Sequence, residues 1–424
     1  IIVWSEASTR VYGSLSARGG ALGGNGGFVE TSGRRYLDIG AIPPDLGASK
    51  GLAGLWLLDP NNITIQATGS DTNISGSPNF VSTADGAIIT IATIKAALDA
   101  GTSVTISTSG GGAQLGDITI GSALATTSAT DVTLTLNAHN NIAINAGLSA
   151  TGTGKLNVVL NANTDAAGGG AASLNSSASL ALKGGTVSSG NGSALTITSG
   201  TLNNVTLATN VNVTGSATFQ NGLTLDNATV TITGASFYYS GTQTLGGTGN
   251  VVFAGSSAWL YRNGGAATLT VGPNVTVSGS GTGSAIFGYS ADEAIDFKGV
   301  LNANVAGKTW YLGGFANTGN INVSAGTVRM DTYSGTGSWT NTSTVGKGIA
   351  VSGTGVLNLV DAFNASTLGN IAQSGSGAVN LIGTMTLDQA STNLSTAGLT
   401  ALTIDGGTVA GGGNTLTSNG TLAL

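Results

Sequence analysis

The sequence predicts an all-β chain folded as a parallel β-helix, or β-solenoid, drawn out into an elongated single rod. Short apolar–polar–apolar triplets recur along it, Gly, Asn and Ser-Gly punctuate them, and charge is scarce. Lys, Arg, Asp and Glu make up 8% of the 424 residues, against roughly 25% in an ordinary soluble domain. Hydrophobic residues still reach 40%, so a core can be buried. Solubility must then come from Ser, Thr and Asn, whose hydroxyls and amides pair sideways on stacked strands without charge repulsion.

The triplets include "ITI" at Ile63, "VTI" at Val104, "ITI" at Ile118, "VTLTL" at Val132 and "IAI" at Ile142. They continue with "LTI" at Leu195, "VTL" at Val205, "VNV" at Val211, "LTL" at Leu223 and "VTI" at Val230, and later with "INV" at Ile321, "LNL" at Leu357 and "LTI" at Leu402. Alternation with β-branched residues marks half-buried strands. A sandwich or barrel uses longer strands joined in hairpins. A solenoid tolerates very short ones, because each strand pairs with the coils above and below, aliphatic rows inward and Thr or Asn rows outward. At ~20 residues per coil the chain makes ~20 coils, and at ~4.8 Å between paired strands it forms a rod on the order of 100 Å long.

Local elements follow in order. In "GGNGGFVETSG" (Gly23 to Gly33), the pairs Gly23-Gly24 and Gly26-Gly27, with Gly19-Gly20 before them, are expected to form coil corners needing positive φ or close backbone approach. Phe28 and Val29 then open a strand with one of the two facing inward. Trp56 and Leu58, two apart, share a strand face toward the interior before Asp59-Pro60 turns the chain. "TIKAALDAGTSVTI" (Thr93 to Ile106) starts with a helical turn: Ile94, Ala97 and Leu98 lie on one face, and Gly101 can end it. "NTDAAGGGAAS" (Asn163 to Ser173) reads as an excursion loop. Two gaps in the triplet pattern gather aromatics: Tyr238, Tyr239, Trp259 and Tyr261 in the first, Phe287, Tyr289 and Phe297 in the second.

Tests for chemistry turn up little. "GASKG" (Gly47 to Gly51) spells a nucleophile elbow around Ser49, but that motif works on a strand-to-helix turn and no helical pattern follows. His139, the sole histidine, sits in an Asn-rich turn and reads as a solvated turn residue, since catalysis needs a positioned partner. "AGKT" (Ala306 to Thr309) resembles the end of a P-loop, but Asn302 stands where the first glycine belongs, and G-x-G-x-x-G from Gly24 and Gly26 fails at Val29. "ADEAIDF" groups Asp292, Glu293 and Asp296, which would suit a hard cation but reads more simply as an exposed acidic loop. No catalytic, cofactor or metal site is expected.

The net charge of −6 and thirteen scattered basic residues argue against nucleic acid, and no apolar run is long enough for a membrane helix. The absence of cysteine removes disulfides and thiolate metal sites. Asn-x-Ser/Thr sequons at Asn62, Asn73, Asn204, Asn227, Asn274 and Asn364 show only that acceptors exist. The opening "IIVWSEAS" carries no signal peptide and reads as an excerpt of a longer protein.

"VYGSLSARGGALGGNGGFVETSGRRYLDIG" (Val11 to Gly40), followed by "GLWLLDPNNITI" (Gly54 to Ile65), resembles the filamentous haemagglutinin-like exoproteins of bacterial two-partner secretion, with "GG-x-GGFVE-x-SG" ahead of "LLDP-x-x-[IV]-x-I". "TIKAALDAGTSVTIST…GDITI" is similar to the segment that follows. The match covers roughly the first 120 residues and beyond them only the repeat style agrees. The resemblance implies a right-handed β-helical shaft, export through an outer-membrane partner transporter, and display or release as an adhesin. The secretion domain would lie upstream.

The expected organisation is a glycine-rich start at 1–68, a β-helix with a helical insertion near 93–100 over 69–190, and continuing repeats over 191–424. The expected function is the shaft of a secreted or cell-surface adhesin, not an enzyme, binding an unknown glycan or protein receptor. Contact falls to Tyr238, Tyr239, Trp259, Tyr261 and Tyr289, because exposed rings anchor interfaces; the competing reading places them as plugs of the core. Two alternatives stand: a polysaccharide-degrading β-helix enzyme, needing acidic and basic residues converging within ~10 Å, and a self-assembling surface-layer or fibril component.

Overall fold

The computed structural model describes all residues except 6–8, 34–36, 40–42, 59–60, 110–113, 167–168, 336, 343–347, 369–370 and 395–397. It is nearly all β, with 56% strand and 3% helix, and its parallel coils stack into a β-solenoid of about 16 turns rather than a barrel. Coil length varies: hydrogen-bonded equivalents on neighbouring coils lie 30 apart at Ser107 and Asn137 and 24 apart at Asn137 and Asn161, above the expected ~20 residues, but 20 apart at Asn302 and Asn322 and 18 apart at Asn203 and Asn221. The chain divides into two compact units, Ile1–Ala178 with Ser188–Ser193, and Ser179–Val187 with Ala194–Leu424.

In the first unit, Ile2–Ser5, Phe28–Gly33 and Leu55–Leu58 pair in parallel. Val29 is fully buried and Phe28 is 39% exposed, as one inward residue of the pair requires. The preceding glycines are corners: Gly23 and Gly24 have φ of 148° and 107°, and a Cβ on Gly26 would lie 2.0 Å from the Leu46 carbonyl oxygen. Trp56 is half-buried, its indole donating to Thr31 Oγ1 at 3.0 Å. The Leu58 side chain and the Asp59-Pro60 turn lie outside the described residues.

Further along, Ile63 pairs with Ile118, Ile118 with Ile142 and Ile142 with Ala172, all facing a sealed interior. Stacking order departs from chain order here, because Ile63–Gln66 is flanked on its other side by the later strand Ala87–Thr90. Between these two strands runs a short antiparallel pair, Ile74–Ser75 with Asn79–Ser82. The helix spans Ile91–Asp99, with Ile94 and Leu98 buried and Thr90 Oγ1 accepting from Thr93 N. Asp71 takes two further donors at that end, accepting from Thr90 N and the Thr93 hydroxyl at 2.7 Å each. Gly101 closes the helix region with φ of 78°.

A column of side chains at one corner holds the coils in register. Asn62 Oδ1 accepts from the Gly116 and Asp117 amides, Asp117 Oδ1 from the Asn141 amide, and Asn141 Oδ1 from the Ala171 amide, all at 2.8–3.0 Å. Each Asn or Asp satisfies a backbone donor on a neighbouring coil that the turn would leave unpaired.

In the second unit the triplets merge. Val211–Thr233 is one strand of 23 residues, and Leu195–Leu207 and Val300–Leu312 have 13 each. Asn204, Asn221 and Asn227 sit at positive φ and bend the chain with bulges in the ladder, so hydrogen bonding persists round the corners. The interior is aromatic: Phe219 packs tilted on Phe237 at 4.8 Å, while Phe253 meets Trp310 and Phe287 meets Phe315 edge-on at 5.1 Å each.

His139 is half-buried rather than a free turn residue. Thr108 Oγ1 accepts its backbone N–H at 3.0 Å and lies 2.6 Å from its Nδ1. Burial holds the imidazole below its ordinary value of 6.5, against the pull of Asp165. Below pH 6.5 the unfolded chain therefore takes up a proton that the folded chain resists. This contribution to stability is complete above 6.5 and is lost as pH falls through the folded value. The expected outcome is a lower melting temperature at about pH 5 than at about pH 7, a gap that His139→Gln narrows. A sole imidazole resonance titrating at or above 6.5 would contradict it.

Candidate functional site

The second unit carries a row of half-buried aromatic rings on the outer side of its coils. By strand register, Tyr238 stands beside Tyr261, and the column Trp259, Ile286, Tyr311, Arg329 runs across neighbouring coils. Alternation turns these positions outward, because Phe237, Leu260, Phe287 and Leu312, one step away, fill the interior. The rings touch in a chain: Tyr238 to Tyr261 at 4.8 Å, Tyr261 to Tyr289 at 5.4 Å, Tyr289 to Tyr333 at 5.7 Å and Tyr333 to Tyr311 at 5.0 Å. Trp259 meets Tyr261, Tyr289 and Tyr333 at 5.4–5.7 Å. Beneath them Ile286 is fully buried although it occupies an outward position between Trp259 and Tyr311. The row is thus a small second hydrophobic cluster outside the coil, with Tyr333 44% exposed at its surface.

Polar ends are pinned. Trp259 Nε1 donates to Ser257 Oγ at 2.5 Å, and the Tyr261 hydroxyl donates to Tyr238 Oη at 3.3 Å. Burial, reinforced by that bond, pushes the Tyr261 phenol up to about 12, so it stays neutral in ordinary buffers. The Arg329 guanidinium lies over the Tyr311 ring at 5.5 Å, a cation–π contact, while bonding Asp331 Oδ2 at 2.6 and 2.9 Å.

Of the five expected contact residues, Tyr238, Trp259, Tyr261 and Tyr289 come together. The fifth, Tyr239, faces the opposite way, is fully buried, and stacks toward Phe219 at 6.3 Å. Burial and the Glu293 carboxylate raise its phenol well above the usual range. Phe287 and Phe297 are likewise core residues. Tyr311 and Tyr333 belong to the row but not to the expected set. Their signal was the coil-length spacing of aromatics, of the kind that separates Tyr238 from Tyr261 by 23 residues.

The acidic group is an exposed loop only in part, with Asp292 exposed in a turn and Glu293 buried. Glu293 is 4% exposed, and its oxygens accept from the backbone of Arg262 at 2.8 Å, Tyr289 at 2.7 Å and Ser290 at 3.3 Å. Asp292 pairs with Arg262 at 2.6 Å, and a hydrogen bond from Ser290, with help from Arg262, lowers its pKa. Asp296 pairs with Lys298 at 3.0 Å. Among the described residues no three His, Cys, Asp or Glu side chains group so as to hold a metal ion, and no helix is long and apolar enough to cross a membrane. Ser49 is exposed in a turn with no helix behind it. Lys308 of "AGKT" is 1% exposed in the strand Val300–Leu312, its Nζ donating to the Gly255 and Ser280 carbonyls at 3.2 and 3.3 Å. It ties coil corners together instead of reaching for a phosphate.

Searched against models of protein families and against curated proteins, the chain matches none. The β-solenoid is compatible with an adhesin shaft and with a β-helix enzyme; the choice rests on the side chains.

Proposed function

We propose that the chain is a stretch of the shaft of a secreted or cell-surface bacterial adhesin, carried across the outer membrane by a partner transporter, with the aromatic face as its contact surface. The observation that carries this reading is the division of labour on the second unit. The charged groups beside the rings are spent on holding the fold, Glu293 on three amides, Asp292 on Arg262 and Asp331 on Arg329, whereas the rings form a half-buried patch on the outer side of the coils with Tyr333 exposed. A hydrolytic or lytic site needs carboxylates free to exchange protons with substrate. A shaft needs a surface that makes many weak contacts in parallel, which display converts to avidity. The motif resemblance in the first 120 residues points the same way.

The test is attachment. Beads coated with the chain are expected to be retained on cells or on polysaccharide-coated surfaces, and retention is expected to fall several-fold when Trp259 and Tyr289 are replaced by Ala. Retention no better than that of albumin-coated beads, or release of reducing ends from a soluble polysaccharide, would reject the reading.

A further inference from the structure

Resting on the reading of the aromatic face as the contact surface, we propose that its ligand is a neutral, extended polysaccharide lying along the direction in which the coils stack. Three features specify that chemistry. The rings gather from several coils at centroid spacings of 4.8–5.7 Å, Trp259 touching Tyr261, Tyr289 and Tyr333 at once, so they form one continuous aromatic patch across the coils and not an enclosed pocket. Ring faces attract the C–H faces of sugars, which are apolar on one side and hydroxylated at the rim, by the same burial and quadrupole terms that pair aromatic side chains.

The second feature is local neutrality. Arg262 is compensated by Asp292 and Arg329 by Asp331, each at 2.6 Å. An anionic polymer finds no uncompensated guanidinium in these pairs, and the carboxylate outside them, Glu293, is buried and held by three backbone amides. Each ion pair nevertheless keeps unused donors and lone pairs, since a guanidinium carries five N–H groups and a carboxylate about four acceptor sites, and these suit sugar hydroxyls. The third is backbone closure. The strands that carry Tyr238, Trp259, Tyr261 and Tyr311 are paired with neighbours on both sides, so a peptide cannot dock there by adding a strand.

The experiment uses the whole 424-residue chain in affinity electrophoresis and tryptophan-fluorescence titration. The probes are hydroxyethyl cellulose, a galactomannan and dextran, with heparin and polylysine as charged comparators. The expected result is retardation by at least one neutral polysaccharide, on the order of tenfold weaker in Tyr333→Ala and in Tyr289→Ala, and unchanged when NaCl rises from about 0.05 to 0.5 M. Tyr333 is 44% exposed and the Tyr289 contact to Glu293 is through its backbone, so both variants keep the fold, as circular dichroism checks. Binding confined to heparin or polylysine, or retardation that neither substitution moves, would overturn the proposal. If no neutral polysaccharide binds while the substitutions still reduce bead retention, the ligand class is wrong and the contact surface stands; if retention is also unmoved, the contact surface falls with it. Concentration-dependent sedimentation abolished by the same substitutions would assign the face to a second copy of the chain and overturn the proposal.

Discussion

Asn341→Ala is expected to destabilise the second unit by about 2–5 kcal/mol. Asn317 and Asn341 are both fully buried, polar rungs inside an otherwise apolar interior. Asn317 Nδ2 donates to Asn341 Oδ1 at 2.9 Å, Asn341 Nδ2 donates to the Leu368 carbonyl at 2.7 Å, and Asn317 Oδ1 accepts from Gly319 N at 3.1 Å. Removing the middle amide strands a buried donor on one side and a buried carbonyl on the other, and each costs roughly 1–3 kcal/mol because no water replaces the partner. Asn358 and Asn380 bond each other at 3.0 Å on a half-buried face. Asn358→Ala should cost no more than about 1 kcal/mol, since solvent reaches what is left. Urea melts followed by hydrogen exchange on the Ile321 and Ile349 strands read the difference. Equal effects of the two substitutions would contradict the ladder's role.

Gly247→Ala is expected to cost roughly 3–5 kcal/mol, in the exceptional range for a single substitution. Its φ is 80°, where an L side chain is strained. A Cβ there would also lie 2.0 Å from the Leu225 carbonyl oxygen and 2.8 Å from the Leu225 nitrogen. Neither obstacle can rotate away, because Leu225 and Gly247 are register partners in adjacent coils. The neighbouring Gly246→Ala is the control. Its nearest obstacle is the Thr244 methyl at 3.4 Å and its φ is ordinary, so the melting temperature should hardly move. A Gly247 variant that melts with the parent would mean that the coils separate at this corner without cost.

Much of this architecture was legible in the sequence. Ile63, Val104, Ile118, Val132 and Ile142 announced inward-facing strands by alternation, and each is at most 1% exposed. The Ile94 and Leu98 spacing announced the one α-helix among the described residues. What alternation does not carry is parity. Tyr238 and Tyr239 are neighbours, and which one faces solvent depends on register with Thr218 and Phe219 on the adjacent coil, a long-range fact. Nor does composition separate a surface asparagine from a buried rung. Asn317 and Asn322 look alike as letters, yet one is sealed and the other half-exposed. Coil length was underestimated in the first unit for a related reason. The triplets mark strands but not how much chain each corner takes up, and the turns here hold a helix and a hairpin.

That helix has a practical side. The ladder keeps its register before it, at Ile63–Gln66 with Ala87–Thr90, and after it, at Val104–Ser107 with Leu134–Asn137. A peptide displayed on the helix would have to keep Ile94 and Leu98, which are sealed in the core, and Asp99, which accepts from Thr126 and Thr127 on the next coil, and vary the exposed Ala92, Ala96 and Ala100. The outer side of that helix is thus a grafting face for display, limited to the side chains that the core does not hold.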